Sequence, residues 1–189
     1  MKQIGDGEKV QMRTRKDLAE EAHRAALKPF HGDIQGEESN LEPIISLFPK
    51  WSVQQADGLW CAAFVYYCCL LAGFDFPYSP SSCVSCSLAG CGGWEEFALG
   101  DSQIAYHRRG EQGFVPQAGD IVLYDRVFNG QEHDHIGVVL EASDGGLVAA
   151  EGNVPGKNCS GLVRRRRDEH IRAYIRIPDG YRYEEDSET

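Results

Sequence analysis

No stretch of this chain stays apolar long enough to cross a membrane. The longest apolar run, residues 59–74, is broken by Gly73 and falls short of the roughly 18 residues a spanning helix needs. The N-terminal sequence MKQIGDGEKVQMRTRKDLAEEAHRAA also lacks the apolar segment of about 7–15 residues that marks a secretory signal. The expectation is a cytoplasmic or phage-encoded protein, one exported by a dedicated route, or one trimmed of its signal. An excess of positive charge is missing too. With 19 Lys and Arg against 29 Asp and Glu, the formal net charge is -10, which argues against a nucleic-acid partner held by phosphate neutralisation. The one basic run, Arg164 to Arg167, follows apolar Leu162-Val163 and reads as the charged face of a strand. An even complement of cysteines is absent as well. Seven thiols cannot all pair within one chain, so Cys61, Cys68, Cys69, Cys83, Cys86, Cys91 and Cys159 fit a reducing compartment better than a disulfide scaffold, with one or two bridges left open.

What is present is the composition of a folded protein: 189 residues, 42% hydrophobic and 10% aromatic, enough for one domain with a proper core. The chain shows no internal repeat and no linker that would divide it. Residues 14–28 predict a helix with Thr14 as N-cap and Asp17 in its first turn, carrying a modest apolar stripe of Leu18, Ala22, Ala25 and Ala26. A short helix within LEPIISLFPK is expected next, followed by a central, almost wholly apolar helix at 61–72. From Gly73 to about Gly119 the chain reads as irregular, with one short helix around 94–99. Five β-rich runs follow at 119–125, 134–142, 146–153, 161–168 and 171–178, separated by Gly, Asn and Asp turns. Helices first and a meander of strands afterwards predict an α+β fold with an antiparallel sheet. Residues 1–54 form a helical extension packed on the principal unit at 55–178, and the acidic tail 179–189 is expected to fray.

The sequence GLWCAAFVYYCCLLAGF places Cys61 where the central helix begins. A thiol at a helix N-terminus meets the positive end of the dipole and unpaired N–H groups, which favour the thiolate and can stabilise an oxyanion. Trp60 would shield one side from water. A nucleophilic cysteine needs a base, and His135, at the start of the strand HIGVVLEA, is the best candidate; His133 is a minor rival. The base needs an orienting acceptor. Glu151 and Asn153, in AAEGNV, fall at the end of the next strand, and an antiparallel pair joined at 143–146 would bring 135 and 151 to one edge. Glu151 is favoured, with Asn153 as a supporting polar residue or its replacement. Cys68 and Cys69 read as buried packing residues. Cys83, Cys86 and Cys91 raise a zinc or disulfide alternative, but only one pair has the usual ligand spacing.

Taken in order, WCAAFV…AGF, GDIVLYD, DHIGVVLE and EGN resemble the CHAP family of cysteine, histidine-dependent amidohydrolases and peptidases, within the papain-like and NlpC/P60 group. The resemblance covers roughly residues 55–178. It implies a papain-like fold and hydrolysis of amide bonds in peptidoglycan, as an N-acetylmuramoyl-L-alanine amidase or a stem-peptide endopeptidase. It implies Cys61 as nucleophile, His135 as base and then acid, Glu151 as the residue orienting it, and Gln55 as an oxyanion donor. The chain departs from the family in having Leu59-Trp60 where many members have Gly-Gln. The acidic calcium-binding loop of some members is not evident, so no metal or other cofactor is expected. Two rival functions stay open: a cytoplasmic peptidase of the same fold, and a non-catalytic thiol or zinc module.

Overall fold

The computed structural model describes residues 13–34 and 36–185. Its first helix, α1 (Arg15–Leu27), begins where the sequence predicts, because Thr14 and Asp17 close a capping box. The Thr14 hydroxyl accepts the Asp17 N–H at 3.1 Å, and the Asp17 carboxylate accepts the Thr14 N–H at 2.9 Å. Two one-turn helices follow, α2 (Glu42–Ile45) and α3 (Val53–Ala56), then α4 (Cys61–Leu71) and α5 (Cys91–Gly100). Cys61, Ala62, Phe64, Val65, Cys68 and Cys69 are all buried, so α4 is enclosed on most sides, as its unbroken apolar sequence requires. None of the helices among the described residues is long and apolar enough to cross a membrane.

Six strands form one antiparallel sheet: β1 (Ala105–Arg108), β2 (Ile121–Tyr124), β3 (His135–Ala142), β4 (Gly146–Glu151), β5 (Gly161–Arg166) and β6 (Ile171–Arg176), in the order β1-β6-β2-β3-β4-β5. The α+β expectation with an antiparallel sheet is thereby met. Alternation along the strands divides the core. Ile121, Leu123, Ile136, Val138 and Ala150 meet the helices, while Val122, Tyr124, Val139, Leu147 and Ala149 form a second, smaller cluster on the other face. Helix α1 packs on α4 and on β3, β4 and β5. Gly119 makes its close approach possible: at φ +85, any Cβ there would stand 2.0 Å from the Arg15 carbonyl oxygen.

Two expectations change. The span from Gly73 to Gly119 is not irregular throughout. It holds the short helix expected around 94–99, α5, which starts earlier, at Cys91, and the edge strand β1, whose half-exposed AYHR sequence carries too little apolar alternation to announce itself. The tail does not fray where it is described. Tyr181 is buried against Phe76 and Phe97, and its hydroxyl donates to the Asp101 carboxylate at 2.5 Å. Aromatic burial outweighs the polar composition of that segment. Residues 186–189 lie outside the described residues.

Candidate active site

Three elements converge at the start of α4. Cys61 is its first residue and is 7% exposed. The first intrahelical acceptor, the Trp60 carbonyl, bonds the Phe64 N–H, so the N–H groups of Cys61, Ala62 and Ala63 precede the helical ladder. His135 opens β3, cross-strand from Tyr124, and the two rings stack at 5.9 Å. Phe128 covers the imidazole from the loop before β3, nearly parallel at 9° and 6.1 Å away. That loop is closed around Asp134, whose carboxylate accepts the N–H groups of Val127, Phe128, Asn129 and Gly130 at 3.0–3.1 Å. These bonds hold Asp134 below the usual carboxylate range against the opposing effect of burial.

Glu151 ends β4, and its Oε2 lies 2.9 Å from His135 Nε2, both side chains fully buried. Between them on the same sheet face is Gly137, where a Cβ would come within 2.8 Å of Glu151 Cγ. A side chain at 137 would obstruct the diagonal by which Glu151 reaches His135. Arg165 of β5 clamps the carboxylate from the other side, Nε to Oε1 at 2.9 Å and Nη2 to Oε2 at 2.6 Å, with its guanidinium 5.0 Å over the Tyr124 ring. Burial alone would raise the Glu151 pKa, but the bonds from His135 and Arg165 outweigh it and hold the group ionised.

With Nε2 committed to Glu151, Nδ1 is the remaining imidazole nitrogen. It is buried without a hydrogen-bond partner among the described residues, and Cys61 acts on the ring together with Glu151. Burial opposes the imidazolium, yet the Cys61 thiolate and Glu151 together raise His135 well above the ordinary histidine range. Cys61 is lowered far below an ordinary thiol. The main cause is a hydrogen bond from Cys91, at an Sγ–Sγ distance of 3.8 Å; burial works against it, and His135 adds to it. Cys91 moves the opposite way and stays protonated, through its bond to Cys61 and its burial. Both shifts favour a thiolate at Cys61 beside an imidazolium at His135, with a carboxylate behind. The site faces a cavity of about 350 Å³ walled by Trp51, Leu59 and Phe128, with Asn129, His133 and Asn153 as polar lining.

The structure brings Cys61, His135 and Glu151 together and turns the other expected residues elsewhere. Asn153 does not bond His135; its amide donates to the Gly58 carbonyl at 2.6 Å and ties the loop before Cys61 to the end of β4. Gln55 is exposed and bound into the capping box of α3, accepting the Ser52 N–H at 3.0 Å. It does not line the cavity, so the oxyanion-donor expectation fails for its side chain. Trp60 lies in the core and not on the cleft wall, edge-on to Phe64, with its indole N–H donating to Asn158 at 3.0 Å. His133 is engaged by Glu95, which Arg172 also holds at 2.9 and 3.1 Å, and is not placed as the base. Cys83, Cys86 and Cys91 diverge: Cys83 donates to the Gly93 carbonyl, Cys86 is exposed and Cys91 faces Cys61. Among the described residues, no group of three or more His, Cys, Asp or Glu side chains is placed to hold a metal. Sequence reasoning missed Arg165, Gly137, Phe128 and Cys91. Arg165 is one of four consecutive arginines, and nothing in the sequence singles it out.

Comparison with known proteins gives a family and a fold. The family model described as CHAP domain matches residues 53–153, a span that contains Cys61, His135, Glu151 and Asn153. No curated protein matches the chain. Among solved structures, the crystal structure of Ly7917 is similar in fold, with a TM-score of 0.50 at 14% identity over 87% of this chain. The match spans 62% of that chain.

Proposed function

Because the chain belongs to the CHAP family, whose members are amidases and peptidases, we propose that it is a cysteine hydrolase that cleaves amide bonds of bacterial peptidoglycan, either the lactyl amide of an N-acetylmuramoyl-L-alanine unit or a bond in the stem peptide. The observation that carries the reading is the buried line of Cys61, His135 and Glu151, held by half-buried Arg165, behind an open cavity.

In this mechanism the Cys61 thiolate attacks the amide carbonyl carbon. The oxyanion that develops meets the N–H groups at the start of α4, which are free of intrahelical partners and sit at the positive end of the helix dipole. His135, already protonated, gives its Nδ1 proton to the leaving amine, and the C–N bond breaks to leave a thioester. Water then attacks the thioester with neutral His135 as base, and the thiolate departs. Glu151 holds the imidazole orientation through Nε2 and balances its charge, while Arg165 holds Glu151. Phe128 keeps water from one imidazole face. No step calls for a metal or cofactor.

Digestion of purified peptidoglycan by the wild type and by Cys61→Ala, followed by mass spectrometry of the products, tests this. Fragments released only by the wild type are expected, and their masses identify the bond. No release by either protein, with Cys61 still alkylated rapidly, would remove the cell-wall substrate and keep the activated thiol. A second reading is favoured by the seven unpaired thiols. They suit a reducing compartment, in which the same site would act on a non-wall peptide. A library of unstructured peptides run beside peptidoglycan separates the two.

A further inference from the structure

We propose that Cys61 and Cys91 form a peroxide-sensitive pair, in which Cys91 converts oxidised Cys61 into an internal disulfide and switches the site off reversibly. This rests on the reading of Cys61 as an activated thiol.

The geometry is a meeting of two helix starts. Cys61 opens α4 and Cys91 opens α5, each is 7% exposed, and both line the same cavity with their sulfurs 3.8 Å apart. A disulfide needs a sulfur separation of about 2.05 Å, so closure asks for a movement of roughly 1.8 Å shared between two side chains. Gly90 and Gly92 flank Cys91, and with no Cβ on either neighbour the start of α5 can give way at low cost.

Reactivity is divided between the sulfurs as such a pair requires. Cys61 is the thiolate and therefore the sulfur that a peroxide attacks. Cys91 stays a thiol, so it is spared the first oxidation and keeps the proton it later gives up. Elsewhere burial pushes Cys68 and Cys69 up, and Cys83 up to about 12, which leaves those thiols inert. Cys86 lies exposed at the mouth of the same cavity.

The chemistry balances with hydrogen peroxide as the oxidant. The Cys61 thiolate attacks one peroxide oxygen, the O–O bond breaks, and the sulfur becomes a sulfenic acid while the departing hydroxide is protonated to water. The Cys91 sulfur then attacks Cys61 Sγ and the S–O bond breaks. The hydroxide leaves as a second water with the Cys91 proton. Two thiols lose two electrons and peroxide accepts them. A dithiol reductant reverses the bond by exchange. Without the second thiol, Cys61 would continue to sulfinic acid, which simple thiols do not reverse.

The test treats fully reduced protein with a few equivalents of hydrogen peroxide near neutral pH, then reads intact mass, non-reducing peptide maps, iodoacetamide labelling and peptidoglycan hydrolysis. Expected are a mass loss of about 2 Da, a linked Cys61–Cys91 peptide, loss of rapid labelling at Cys61, and full recovery in dithiothreitol. In Cys91→Ser, Cys61 should gain about 32 Da and fail to recover, whereas Cys86→Ser should keep the Cys61–Cys91 link. Sulfinic Cys61 beside a free Cys91 in the wild type, or a Cys61–Cys86 link, would overturn the inference. That readout needs only the wild type, so misfolding of a variant does not blunt it. A linked peptide in a protein that never releases peptidoglycan fragments overturns the cell-wall substrate alone. Hydrolysis without any linked peptide overturns this inference alone.

Discussion

His135 Nε2 and Glu151 Oε2 lie 2.9 Å apart with both side chains wholly buried, and Nδ1 is the imidazole nitrogen that this bond leaves unpartnered among the described residues. An ionised carboxylate at this depth is sustained by its partners, and the pair sits at the centre of the testable consequences.

Glu151→Gln keeps the shape and removes the charge. The imidazolium then loses one of the two groups that raise its pKa. Hydrolysis should fall on the order of 10²- to 10⁴-fold with its alkaline limit moved to lower pH, and rapid alkylation of Cys61 should retreat from the acid side. Side-by-side rate and alkylation profiles of the two proteins check this. Equal profiles would mean that Glu151 does not act on His135.

Arg165→Met should leave the Glu151 carboxylate buried with one partner fewer. Breaking such a pair costs about 2–3 kcal/mol when one member keeps partial solvent contact, as Arg165 does. Glu151 has its pKa lowered by folding, so its contribution is complete above the ordinary carboxylate range and is lost as pH falls through the folded value. The stability gap between wild type and variant, from urea unfolding, is therefore expected to be wide at neutral pH and to narrow in acid.

The Cys61–His135 pair has a definite pH signature. Cys61 is lowered, so the thiolate persists into more acidic solution, and His135 is raised, so the imidazolium persists into more alkaline solution. The ion pair widens its window in both directions. At pH 6 an ordinary thiol of pKa about 8.5 is thiolate to well below 1%, yet Cys61 should label with iodoacetamide at a rate little changed from pH 7. A labelling rate that climbs tenfold per unit across this range would show a normal thiol.

Gly137→Ala puts a methyl group 2.8 Å from Glu151 Cγ. Overpacking of this kind costs about 1–3 kcal/mol, and relief by moving Glu151 misdirects His135. A drop in kcat with KM nearly constant is the expected pattern in steady-state kinetics, because the substrate cavity is untouched. Full activity in the alanine variant would show that Glu151 has room to spare.

Gln55→Ala separates the family-based expectation from the structure. The side chain caps α3 and lies outside the cavity. The variant should lose on the order of 1 kcal/mol in stability and keep kcat/KM within about twofold, a change too small for a lost oxyanion donor, which costs about 10²-fold or more.

Much of the architecture could be read from local pattern. Thr14 and Asp17 announce a helix start, the apolar run from Cys61 announces a buried helix, and the β-rich runs IVLY, HIGVVLEA and GLVAAE announce strands, since each signal is carried by residues within a turn or a strand of one another. Cys61, His135 and Glu151 were nameable for the same reason: each marks the beginning or end of such an element. Gln55 misled because spacing before a cysteine says nothing of whether a side chain is spent on a local cap.

What tertiary structure decided is which distant residues share those ends. Arg165 reads as one charge among four in sequence, and becomes the clamp on Glu151 only because β5 pairs with β4. Cys91 reads as a loop thiol, and meets Cys61 across 30 residues only because two helices start at one cavity. Periodicity records which face of an element is apolar. It carries no record of which elements meet, because that is set by packing the whole core, and the buried charges and thiols acquire their altered acidities only after that packing has excluded water.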